Sequence, residues 1–121
     1  MRGLGIDLCE IARIERAMSD GFLNKYYTPE ERDYLASRGR MGPESAAAMF
    51  AAKEAFLKAV GAGIGGGVEL REVGVRHLPG GAPEYALTGA AVERLNALGA
   101  QRAHLSLTHE GGMAAAVCVI E

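Results

Sequence analysis

Asp7, Glu54, Lys58, Ser106, Thr108 and His109 are the residues of this chain whose types and spacing could do chemistry. Glu54 and Lys58 are four residues apart, so on a helix their side chains can meet. Taken alone, such a pair is an ordinary helix-surface contact worth about 0.2–0.5 kcal/mol. Its company argues for more, because Phe50, Leu57 and Gly61 fall on the same side of the helix. A carboxylate and an ammonium among apolar neighbours need further partners, which a metal ion or a phosphate would supply. Asp7 stands near the end of the run Gly3-Leu4-Gly5-Ile6-Asp7-Leu8-Cys9, which reads as a short buried strand. Two roles are open to it. It caps the following helix, or it shares one hard cation with Glu54, since two carboxylates with phosphate oxygens and water suit magnesium.

Gly61-Ala62-Gly63-Ile64-Gly65-Gly66 matches G-x-G-x-x-G formally, yet a helix precedes it and a strand follows, the reverse of the dinucleotide fingerprint. These glycines either end a helix or let a bulky phosphorylated ligand approach bare backbone. In Ser106-Leu107-Thr108-His109, Ser106 and Thr108 share a strand face and His109 stands at its end. The residue types of a Ser-His-Asp hydrolase are present, but no G-x-S-x-G elbow is. Arg13 and Arg16 form a positive strip that either keeps the surface solvated or receives an acidic partner.

The elements that must position these groups follow from periodicity and punctuation. After the first strand, Glu10 to Met18 has helical spacing, and Asp20-Gly21 is read as its stop. Thr28-Pro29-Glu30-Glu31 has the form of a capping box and opens a helix to about Ser37. Pro43 opens the longest helix, to about Val60, apolar nearly all round. Val68 to Leu78 reads as a strand with an irregularity at Gly74, and Glu84 to Leu87 as a short strand. Thr88 caps a helix through Leu98. His104 to Thr108 and Met113 to Ile120 are the last strands. The order β-α-α-α-β-β-α-β-β, with hairpin-like strand pairs, predicts an α+β fold: a mainly antiparallel sheet packed on a long central helix, in one domain over 1–121.

Composition sets the remaining limits. The chain has 121 residues with a formal charge of −2, and its 49% hydrophobic content leans on 21 alanines. With 17 glycines besides, the core looks thin, which points to surface buried against copies of the chain, the long helix being the expected contact. No stretch reaches the roughly 20 apolar residues of a membrane span, and no export leader is seen, so a cytoplasmic location is expected. Cys9 and Cys118 sit in apolar runs and read as buried thiols. Near-zero charge, no tryptophan and few aromatics argue against general nucleic-acid binding.

Three segments together carry a resemblance: Gly3 to Ile14, then Phe50-Ala51-Ala52-Lys53-Glu54-Ala55-Phe56-Leu57-Lys58 with the glycines that follow to Gly65, then Leu105-Ser106-Leu107-Thr108-His109. The chain resembles the holo-[acyl-carrier-protein] synthase family, the small bacterial type of 4′-phosphopantetheinyl transferase. The resemblance implies a 4′-phosphopantetheinyl transferase-like fold. It also implies transfer of 4′-phosphopantetheine from coenzyme A to a serine of apo acyl carrier protein, with release of 3′,5′-ADP, in lipid metabolism. Asp7 and Glu54 would then hold a magnesium ion, and Lys58 would contact the coenzyme A pyrophosphate. Gly61, Gly63, Ile64, Gly65, Thr108 and His109 would line the nucleotide site, and Arg13 and Arg16 would face the carrier. A homotrimer with active sites between subunits is implied too. Met49 departs from the pattern, standing where many members have an arginine, and Arg38 or Arg40 in the preceding loop is a candidate to replace it. The competing readings are a catalytically inactive trimer that binds coenzyme A or ADP, and a metal-dependent phosphohydrolase. The latter lacks the dense carboxylate and histidine set such enzymes display.

Overall fold

The computed structural model describes residues 1–63 and 66–121. Its strands are β1 (Gly3–Glu10), β2 (Val73–His77), β3 (Pro83–Leu87), β4 (Ala103–Glu110) and β5 (Met113–Ile120). Its α-helices are α1 (Ile11–Ala17), α2 (Asp20–Tyr26), α3 (Pro29–Ser37), α4 (Gly42–Ala59) and α5 (Gly89–Ala97). Strands β1, β5 and β4 form one sheet in that order, and β2 with β3 a second, every pairing antiparallel. The fold is α+β, as the sequence predicts.

Helix α2 is an addition to the predicted order. Asp20-Gly21 begins a helix rather than ending one: Ser19 Oγ accepts the Phe22 N–H, and Asp20 lies in the first turn, where the helix dipole favours it. Phe22 and Tyr26, one turn apart, meet edge to face at 5.0 Å. The Thr28 capping box forms as expected, with Glu31 Oε1 accepting the Thr28 N–H and Thr28 Oγ1 accepting that of Glu31. The strand expected from Val68 starts later, at Val73, after a 3-10 turn at Leu70–Glu72, and its pairing runs through Gly74 in unbroken register. Thr88 makes no side-chain cap. Glu72 serves α5 instead, its Oε2 accepting the Ala90 N–H.

Helix α4 lies across the inner face of the β1-β5-β4 sheet, with α1, α3 and β2 around its other sides. Small residues set the distance. An added Cβ on Gly5 would overlap the Ala55 carbonyl oxygen and reach within 2.8 Å of Ala59 N, and one on Gly3 would overlap the Ala59 carbonyl oxygen. Ala114 and Ala116 of β5 are buried on the same face. The alanines and glycines thus build a core of close backbone approach rather than a deficient one.

This corrects the expectation that α4 supplies a subunit contact, because its apolar circumference is covered within the chain. The uncovered apolar surface is the opposite sheet face, so β1 is not a buried strand either. Leu4, Ile6 and Leu8 are 57%, 66% and 61% exposed. They stand in register with Val119, Val117 and Ala115 of β5, which in turn oppose His104, Ser106 and Thr108 of β4.

Lys53 and Glu31 form an ion pair in the interior, 0% and 2% exposed. Lys53 Nζ donates to both Glu31 oxygens at 2.8 and 2.9 Å and to the carbonyls of Leu70 and Val73 at 3.1 and 3.0 Å. Glu31 also accepts the Val75 N–H at 2.9 Å. Every charge is met by several partners, the condition under which a buried pair persists. The pair ties α4 to α3 and to the start of β2.

Candidate active site

Period-2 alternation turns Gly5, Asp7 and Cys9 toward α4, while Leu4, Ile6 and Leu8 face outward. Because α4 sits so close to β1, Lys58 reaches the strand: its Nζ donates to the Ile6 carbonyl and to Asp7 Oδ1, each at 3.0 Å. The expected Glu54–Lys58 pair is therefore not made. Lys58 crosses to Asp7, and Glu54 has no cationic partner within 4.0 Å among the described residues. Asp7 does not cap α1 either, whose N-cap residue is Glu10.

Glu54 is half-buried on the α4 face toward β1. Burial pushes its carboxyl above the ordinary range, the negative charge of Asp7 adds to this, and Lys58 and Arg13 oppose it. Asp7, Glu54, Lys58 and Arg13 therefore share one electrostatic neighbourhood. Two hard carboxylates beside an ammonium suit a divalent cation and phosphate oxygens. Among the described residues, no group of three or more His, Cys, Asp and Glu side chains is arranged as a preformed metal cage.

The sequence placed Arg13 at a docking surface only. In the structure Arg13 is exposed, as expected, but its Nη2 also donates to Cys9 Sγ at 3.7 Å, at the end of β1. Burial raises the Cys9 thiol, with Arg13 opposing the rise. Arg16, also exposed, has a different neighbour, Glu10 Oε1 at 3.6 Å. Helical spacing alone does not reveal the difference, since it depends on where α1 meets the end of β1.

Thr108 and His109 stand at the far end of β4, His109 in register with Ala114 and, through β5, with Cys9. They line a cavity of about 260 Å³ with Tyr34, Arg38, Glu44, Ser45 and His77. His109 Nε2 lies 3.2 Å from Glu44 Oε1 at the start of α4. Met49 is 1% exposed and belongs to the core. Arg38 lines the cavity, while Arg40 is not among its lining residues. Gly61 and Gly63 adopt φ of 71° and 65°, which side-chain-bearing residues rarely do, directly after α4. The expectations for Ile64 and Gly65 lie outside the described residues.

An α+β chain of this topology, with carboxylates and a lysine drawn together by β1 and α4, is a class with known members. Residues 3–118 match the model of the 4′-phosphopantetheinyl transferase superfamily. The holo-[acyl-carrier-protein] synthase of Treponema denticola is 42% identical over 98% of this chain and 97% of its own, and that of Myxococcus xanthus is 43% identical over 100% and 95%. Among solved structures, the holo-[acyl-carrier-protein] synthase of Neisseria meningitidis superposes with a TM-score of 0.89 at 35% identity, covering 100% of this chain and 98% of that one. The Helicobacter pylori synthase, solved in complex with coenzyme A, gives 0.83 at 30% identity over 98% and 99%. The chain belongs to this superfamily and, within it, to the holo-[acyl-carrier-protein] synthases, and is an enzyme of that type.

Proposed function

We propose that the chain, acting as one domain over 1–121, transfers 4′-phosphopantetheine from coenzyme A to a serine of apo acyl carrier protein and releases 3′,5′-ADP. The observation that carries this is the convergence of Asp7, Glu54 and Lys58, two carboxylates and an ammonium from β1 and α4. Relatives solved with coenzyme A or with 3′,5′-ADP support the donor.

The carrier serine Oγ attacks the phosphorus that bears the pantetheine arm. One O–P bond forms as the bond to the nucleotide phosphate breaks. The serine proton passes to Glu54 or to a water held at the carboxylate pair. Lys58, about half exposed, turns from Asp7 to the departing phosphate and offsets its charge. Asp7 and Glu54 would hold magnesium, which when bound neutralises charge on the phosphate oxygens. Gly61 and Gly63 leave room for the nucleotide, and Thr108 and His109 line its cavity. Arg16 faces the acidic carrier. Arg13 shares that role and also stands near enough to Glu54 to offset its charge.

The exposed Leu4, Ile6 and Leu8 with their β5 neighbours form a continuous apolar sheet face of the kind that marks a subunit contact. It supports a homotrimer with active sites between copies. No helix among the described residues is long and apolar enough to cross a membrane, and we assign the enzyme to the cytoplasm, where its substrates meet.

The direct test is incubation with coenzyme A, magnesium and apo carrier, read by intact mass. Gain of one phosphopantetheine arm is expected. Tight binding of coenzyme A with no mass gain on several carriers would refute the transferase reading and leave a binding-only trimer.

A further inference from the structure

Five of the seven residues at 61–67 are glycines, which bring no side chains to hold the run in shape and lose the most backbone freedom on ordering. The hold has to come from the neighbouring chain. At the start of the run the Ala62 N–H donates to the Leu57 carbonyl of α4 at 2.9 Å, between Gly61 and Gly63 at positive φ. Gly66 lies directly against this point. Its N–H donates to the Gly63 carbonyl at 3.4 Å, and an added Cβ would overlap the Ala62 carbonyl oxygen. The Gly66 carbonyl in turn accepts from Nη2 of Arg94, a half-buried residue of α5. Arg94 has no carboxylate within 4.0 Å among the described residues, so it is not spent on an ion pair. Helix α5 gives it a fixed base. Glu72 Oε2 accepts the Ala90 N–H at 2.8 Å, Ala91 and Leu95 are buried, and Arg2 Nη1 donates to the Leu98 carbonyl at the far end at 3.2 Å.

We propose that Arg94 is a positioning residue for the donor nucleotide: by holding the Gly66 carbonyl it keeps Ala62 and Gly63 in the shape that receives coenzyme A. This rests on the reading that Gly61 and Gly63 leave room for the nucleotide. Without the bond from Arg94, binding itself would have to order these glycines, and affinity would fall by that entropy. A guanidinium suits the task because its bond to a carbonyl is charge-assisted, stronger than one from a neutral donor. Arg94 acts through the backbone. Its loss therefore weakens the bound donor and the transition state alike, which raises KM and spares kcat.

Arg94→Met keeps most of the stem and removes the donor. It should raise the KM for coenzyme A and the calorimetric Kd of 3′,5′-ADP together, by roughly three- to thirty-fold, as the receptive shape becomes less populated. The kcat and the KM for the carrier should not change. In the unliganded enzyme, amide hydrogen exchange at Ala62 and Gly66 should quicken. Arg94→Lys restores a cationic donor and should recover most of the loss. Arg2→Gln releases the far end of α5 and should alter none of these readings, which separates the bond to Gly66 from general loosening of the helix. Unchanged constants or unchanged exchange in Arg94→Met, equal losses in Arg2→Gln, or a Lys variant as weak as the Met variant would each overturn the role. Calorimetry and exchange need no carrier. A wild type that binds 3′,5′-ADP but modifies no carrier counts against the transferase reading alone, whereas one that binds no 3′,5′-ADP overturns the role of Arg94.

Discussion

Replacing Lys53 by Met removes the ammonium while keeping most of the buried stem. Four hydrogen bonds that it donates go with it, two to Glu31 and one each to the Leu70 and Val73 carbonyls. Glu31, 2% exposed, keeps only the N–H groups of Thr28 and Val75 as donors and holds a buried charge without a counter-ion. Breaking one side of a buried pair costs about 3–5 kcal/mol, a large share of the roughly 5–15 kcal/mol that holds a domain folded. With a urea slope of about 1.5 kcal/mol per molar, the unfolding midpoint should fall by roughly 2–3 M. The assay is urea unfolding by far-ultraviolet circular dichroism at one fixed protein concentration, since assembly couples to stability. Adding Glu31→Gln to Lys53→Met removes the stranded charge and keeps an amide oxygen for Thr28 or Val75. The double variant should therefore be more stable than Lys53→Met alone. A midpoint shift under about 0.5 M, or a double variant as weak as the two losses added, would refute the reasoning.

Gly5→Ala should cost about 1–3 kcal/mol or more, because its Cβ overlaps the Ala55 carbonyl oxygen; full stability by denaturant melts would contradict the close-packing account. Glu54→Gln should lose transfer yet raise the metal-free melting temperature at pH 7. The folded carboxyl is raised above its unfolded value, so its contribution is intact below about pH 4 and is lost as pH rises through the folded value; a gain that did not shrink toward pH 4 in scanning fluorimetry would count against this. Ile6→Glu places a charge at the centre of the outward sheet face, 66% exposed in the single chain. It should give folded monomers by sedimentation, and a persistent oligomer would show that the contact lies elsewhere.

Most of the fold was legible because its signals are local. The Thr28 capping box, the breadth of α4 and the last two strands all follow from patterns within a few residues. What failed depended on distant chain. Asp20-Gly21 resembles a terminus until Ser19 is recognised as a cap. Leu4, Ile6 and Leu8 read as buried because an apolar run does not say whether both faces are covered. In the site, Asp7, Glu54 and Lys58 were legible as types, but the partner of Lys58 was not. Helical spacing offers Glu54, whereas the strand packed against α4 offers Asp7 together with the Ile6 carbonyl. Glu31 was legible as a capping residue, and its second duty toward Lys53 was not, because 22 residues separate them. Arg38 surfaced only as a candidate for a missing arginine, since its place beside His109 depends on α3 and β4 meeting.

The abundance of glycine and alanine is tied to the chemistry as well as to the core. Lys58 reaches the Ile6 carbonyl only because the helix lies near enough to β1 for its side chain to span the gap. The helix lies there because Gly3 and Gly5 place no Cβ under the Ala55 and Ala59 carbonyls. Asp7 is next on that inward face, at the level where the backbone contact gives way to charged side chains. Larger residues at 3 and 5 would bury more apolar area, but they would lift α4 and carry Glu54 and Lys58 away from Asp7. The small residues therefore set helix-to-sheet spacing and carboxylate–lysine spacing by one steric condition. That is why the apolar area absent from the core is found instead on the far face of the sheet, where a second copy of the chain can cover it without disturbing the site.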